Sequence, residues 1–151
     1  MNLYVASFWA ILLALSLLAW LWRDRSLKPA ETLVQPELAV VSLCWTAAIV
    51  TLVCKPPSAV RFFDLEPALL LVDIGLLVSL TIIGVRSGKG WVLCAAALQL
   101  LSTSAHVARL TTPGMWRLGY QVMEEASSYP ILLLLAVGIW NRRRALKRGA
   151  R

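Results

Sequence analysis

The chain holds 151 residues, 59% of them hydrophobic and 15% charged, with a mean hydropathy of +0.72 and a formal net charge of +7. That apolar load exceeds what a soluble core can hide, so the expected solvent is a lipid bilayer and a soluble fold is excluded. At about 20 residues per spanning helix, five spans consume most of the chain and leave no room for a second, soluble domain.

The expected architecture is all-α, a polytopic membrane helical bundle with five transmembrane helices over about 3–22, 37–54, 68–85, 90–110 and 117–140. They form a single five-span domain, 1–141, followed by a basic cytoplasmic tail, 142–151. The first span opens with MNLYVASFWA, which lacks a basic n-region, and its apolar run outlasts a usual signal-peptide core, so it is expected to stay attached. Ala6, Ala10 and Ala14 form a small-xxx-small ridge on it, a pattern that lets helices approach closely. Pro36, Pro67 and Pro113 stand at or just before helix starts, where a missing amide costs little.

The third span holds the most informative residue. Asp73, inside ALLLVDIGLLVSLTIIGV, carries a charge into hydrocarbon at a cost that asks for a partner or a purpose. Gly75 and Gly84 in the same span are further positions for close helix approach. In the fourth span Gln99, Ser102, His106 and Arg109 recur at steps of three, four and three, which places them on one face within about 80° of arc.

The fifth span is the difficult one, because its purely apolar run Ile131–Trp140 is about half the length a crossing needs. It must recruit the polar stretch YQVMEEASSYP before it, where Tyr120, Glu124 and Ser127 line one face while Glu125 and Tyr129 point elsewhere. Pro130 falls inside this span and predicts a kink or break, with Ser127 or Ser128 satisfying the freed carbonyl. In the tail, Arg142, Arg143, Arg144, Lys147 and Arg148 are expected to meet lipid headgroups on the cytoplasmic side.

With five spans the connections alternate between the two sides. Lys55, Arg61, Arg109 and Arg117 fall on one side and every other Lys and Arg on the opposite one, which orients the N-terminus outside and the C-terminus inside. In that orientation three consecutive spans bring polar groups to one level of the outer half. The candidate polar cluster is Asp73, Gln99, Ser102, His106, Arg109, Tyr120 and Glu124. Asp73 paired with His106 or Arg109 reads either as glue between helices or as a functional site.

Trp9, Trp20, Trp22, Trp91, Trp116 and Trp140 lie near span ends and read as headgroup anchors rather than a ligand cage, while Trp45 lies within a span. Cys44, Cys54 and Cys94 form no C-x-x-C pair and read as small packing residues. A lone His supplies neither a zinc site nor a bis-histidine haem, so no metal and no cofactor is expected. No G-x-S-x-G nucleophile loop is present. Glu124-Glu125 resembles the opening of the E-E-x-x-x-R signature of membrane-embedded prenyl-protein proteases, but position 129 is Tyr and the further His-bearing helices are missing. The expectation is a non-enzyme.

From about Ala68 to Trp140 the chain resembles a family of small polytopic bacterial inner-membrane proteins. The pattern is an acidic residue in one span, Arg-x-x-x-x-Trp at a short turn, Gln and His in the next span, then Tyr and Tyr-Pro. Here these are Asp73, Arg86 and Trp91, Gln99 and His106, Tyr120, and Tyr129-Pro130. The resemblance covers about half the chain and implies a bacterial inner-membrane location without implying an activity. Likeness to the tryptophan-rich sensory proteins stops at size and span count, because their W-x-P-P segment has no counterpart.

The leading expectation is a non-enzymatic accessory or structural subunit of a larger membrane assembly. Its partners would be the bilayer and a membrane protein or a second copy, with no nucleic acid. The alternative is a stand-alone small-solute or proton-coupled binding or transport protein that uses the outer-half cluster, with Asp73 and His106 as its titrating pair.

Overall fold

The computed structural model describes residues 3–22, 35–54, 67–111, 119, 122 and 127–149. Five helices run through them: α1 Leu3–Leu21, α2 Pro36–Cys54, α3 Pro67–Ser87, α4 Gly90–Thr111 and α5 Ser128–Gly149. The first four each contain a stretch long and apolar enough to cross a membrane. Leu13, Leu17, Val53, Leu71 and Val85 point away from the bundle, an arrangement that water would oppose and lipid tails favour. The chain is a small polytopic membrane protein.

Packing follows chain order and then closes on itself. α1 packs on α2 and α5, α2 on α3, α3 on α4 and α4 on α5, so the helices form a ring, and α2 also touches α5 across it. The hydrophobic core gathers Leu12, Leu15, Val40, Val41, Leu80, Val92, Leu135 and Ile139 along the inner faces.

The α3–α4 connection is the one tight turn within the described residues. Gly88 adopts φ 63°, a left-handed conformation that a Cβ disfavours, and its amide donates to the Gly84 carbonyl at 3.0 Å, which terminates α3. The hairpin then packs closely: a Cβ on Gly84 would stand 2.6 Å from Leu93 Cδ2. Gly75, expected to serve the same purpose, is exposed and has nothing within 4 Å of its Cβ position, so it mediates no close approach within the bundle.

α5 differs from the sequence expectation at both ends. The break expected at Pro130 takes the form of a helix start, since α5 begins at Ser128. Pro130 therefore sits in the first turn, where its missing N–H has no partner to lose, and the Ser127 carbonyl accepts from Ile131 N at 3.0 Å. At the other end the helix continues past Trp140 to Gly149, so most of the basic tail is the last turns of α5. Most of the segment expected to begin the fifth span, 117–126, lies outside the described residues.

Two opposite ends of the bundle result. At one, the C-terminal end of α1 meets the start of α2 and Arg142 of α5. Arg142 Nε donates to the Trp22 carbonyl at 3.2 Å and Nη1 to Glu37 Oε2 at 3.4 Å. At the other, the start of α1 meets the start of α5, where Tyr129 donates to the Tyr4 carbonyl at 2.8 Å and its hydroxyl lies 2.6 Å from Ser7 Oγ.

Candidate functional site

On α3, Leu69, Asp73, Leu76 and Leu80 recur at steps of four, three and four and face into the ring, so the position of Asp73 is set by an apolar stripe that must be buried. On α4 the inward face carries Val92, Ala95 and Ala96 toward one end and Gln99, Ser102 and His106 toward the other. The small alanines let α4 lie close to its neighbours, and the polar residues then meet α3.

Asp73 Oδ2 is the meeting point. His106 Nε2 lies 3.2 Å from it and Ser102 Oγ donates to it at 3.4 Å. With the carboxylate ionised, Nε2 carries the imidazole hydrogen and donates. The His106 side chain is fully buried, whereas that of Asp73 keeps 20% of its surface. Asp73 Oδ1 accepts no hydrogen bond among the described residues, and the carboxylate forms part of a cavity wall.

That cavity, about 230 Å³, occupies the Tyr4–Tyr129 end of the bundle and is lined from all five helices. Asp73, Gln99 and Ser102 supply one polar side. Across from α3, α1 presents Tyr4, Phe8 and Trp9, while α2 contributes the small residues Ala47 and Ala48 and α5 contributes Ser127, Ser128, Ile131 and Leu132. The aromatic wall is braced from behind. Trp9 packs on Trp45 with the rings tilted at 49° and 5.3 Å between centroids, Phe8 meets Trp9 edge-on at 6.0 Å, and Tyr4 meets Tyr129 at 4.8 Å. Trp45 is fixed in turn by donating Nε1–H to Ser16 Oγ at 2.8 Å.

The sequence-derived cluster is thus brought together in part: Ser102 and His106 both bond to Asp73, and Gln99 lies buried beside them on the cavity wall. The side chain of Arg109, and Tyr120 and Glu124 altogether, lie outside the described residues. Trp9 departs from its expected role as a headgroup anchor, since it turns inward as a wall of the cavity. Tyr129, expected to point away from the polar face, clasps α5 to α1.

Of the tail residues expected at the headgroups, Arg142 turns into the bundle toward Glu37, whose side chain is 5% exposed. Burial of an unpaired carboxylate would cost several kcal/mol, and the guanidinium removes that cost. Arg143 lies over the rings of Trp22 at 4.7 Å and Trp140 at 5.7 Å, and Arg144 over Trp140 at 5.3 Å. Lys147 and Arg148 are exposed. Nothing in the sequence spacing announced the Glu37–Arg142 pair; the only signal was an acid at the start of one span and a base at the end of another.

Among the described residues, no three His, Cys, Asp or Glu side chains gather as a metal site. Chemically, the site offers a carboxylate oxygen in apolar surroundings, a space larger than the ~150 Å³ that suffices for benzene, and an aromatic face across from the charge. Comparison with known proteins gives no matching family model, no similar curated protein and no similar solved structure.

Proposed function

We propose that this integral membrane protein binds a small amphipathic solute in the cavity between its five helices, without transforming it. The observation that supports the reading is the Asp73 carboxylate standing in the wall of a cavity of about 230 Å³ whose remaining walls are mostly apolar and aromatic. A carboxylate needed only to hold α3 to α4 would be covered by its partners. Here one oxygen takes both helix-to-helix bonds, and the other accepts none among the described residues. Ligand sites have this character: a shaped apolar volume with a few placed polar groups.

In this reading the N-terminus faces outside and the C-terminus the cytoplasm of a bacterial inner membrane, with α5 completing a fifth crossing. The excess of Lys and Arg at the Arg142 end supports that orientation.

The test is a fragment screen by ligand-observed NMR on the purified protein in nanodiscs, repeated on Ala48→Leu, which fills the cavity from α2. Saturable binding by wild type that the substitution abolishes is expected. A screen in which no fragment binds, or in which Ala48→Leu binds as wild type does, overturns the reading.

A second reading, a non-enzymatic accessory subunit or homo-oligomer, is favoured by α1. Ala10 and Ala14 face outward, flanked by the exposed Leu13 and Leu17, so the small-residue ridge is turned away from the bundle.

A further inference from the structure

The geometry points to a ligand that bears a positive charge: an aromatic or aliphatic amine whose ammonium meets Asp73 Oδ1 while its apolar body lies against Phe8 and Trp9. The inference rests on the cavity being a binding site and names the chemical class that site selects.

Three observations converge on a cation. First, the hydrogen bonds from His106 and Ser102 both end on Oδ2, so the carboxylate, which lines the cavity, is oriented by α4 while its second oxygen accepts no hydrogen bond among the described residues. An ionised carboxylate offers a ligand only acceptors, and its partners on α4 are an imidazole and a hydroxyl rather than a lysine or an arginine. An anion placed there would meet like charge in a medium that screens it poorly, and a neutral hydrocarbon would leave Oδ1 without a partner.

Second, the helix that faces α3 across the cavity presents Tyr4, Phe8 and Trp9, whose ring faces are the neutral groups that attract an ammonium. Third, among the described residues no Lys or Arg side chain lines this cavity; Arg142 and Lys89 belong to a separate cavity at the opposite end, with Glu37. Gln99, buried at the same level, has a carbonyl oxygen and an amide with which to accept or donate to a second polar group of the ligand.

Selection follows from charge rather than shape. Benzylamine, benzyl alcohol and benzoate have nearly the same outline and carry positive, neutral and negative groups. The alcohol can donate a hydrogen bond to the same carboxylate, and the amine adds the attraction of opposite charges, so it should bind roughly ten-fold more tightly than the alcohol.

The experiment measures saturable binding of the three radiolabelled compounds to the full chain in nanodiscs, with empty nanodiscs subtracted. The expected order is benzylamine, then benzyl alcohol, then benzoate, and Asp73→Asn should remove the advantage of the amine while sparing the alcohol. Equal binding of amine and alcohol overturns the cation assignment and leaves the cavity as a site. Failure of all three to bind overturns the binding reading itself. If Asp73→Asn does not fold, the wild-type order alone decides.

Discussion

Asp73 and Ser16 are held inside this bundle by what they touch. Asp73 on its own would be an expensive charge in hydrocarbon, and His106 and Ser102 on the next helix lower that cost by two hydrogen bonds to one oxygen. Ser16 shows the same logic in a milder form, since its hydroxyl donates to the Leu12 carbonyl at 2.6 Å and accepts from Trp45. Glycine acts at this scale too. A Cβ on Gly138 would lie 2.5 Å from Trp91 Cε2, inside the ring's own volume, so Gly138→Ala should lower the stability of the detergent-solubilised protein by about 1–3 kcal/mol. Gly75→Ala is the control: with open space around it, the substitution should leave the thermal midpoint unchanged or raise it. Equal losses at both positions would show that the Trp91 contact is not what matters.

Among the elements, α5 combines three roles that the others keep apart. Its first turns carry Tyr129 and the serines at the cavity, its apolar middle joins the core, and its last turns carry the arginines. Arg142 is the hinge between the second and third roles, because it caps the end of α1 through the Trp22 carbonyl and neutralises Glu37 of α2. Arg142→Met should therefore cost about 3 kcal/mol by leaving a buried carboxylate unpaired, and adding Glu37→Gln should restore most of that loss. A double-mutant cycle on unfolding in detergent checks it. Additive effects of the two changes would mean that the ion pair contributes nothing of its own.

For the whole molecule, the ring of five helices is drawn together by the α2–α5 contact and the core, while the cavity lies at the Tyr4–Tyr129 end. Closure of the ring leaves α1 with an inner face of Leu12, Leu15 and Ala19 and an outer face bearing Ala10 and Ala14. If that outer face holds a partner helix, the double change Ala10→Leu, Ala14→Leu should reduce the mass of the solubilised complex to that of a single chain and leave the thermal midpoint of the bundle unaltered. A mass that stays the same would sink the subunit reading, and a lowered midpoint would return the ridge to the interior.

The membrane class and four of the five helices were legible along the chain, since hydrocarbon thickness dictates the length of an apolar run and a run of that length declares itself without reference to any neighbour. Asp73, Gln99, Ser102 and His106 could be named for a related reason: polar residues stand out against apolar spans, and helical spacing shows which of them share a face. The tertiary structure alone decided the inward turn of Trp9, the pairing of Glu37 with Arg142, the lipid-facing position of Gly75 and the existence of a cavity beside Asp73. Each of these depends on which face of a nearly uniform apolar helix meets its neighbours. On a surface of leucines, valines and alanines, lipid and protein offer similar contacts, so that choice is made only when five helices pack together.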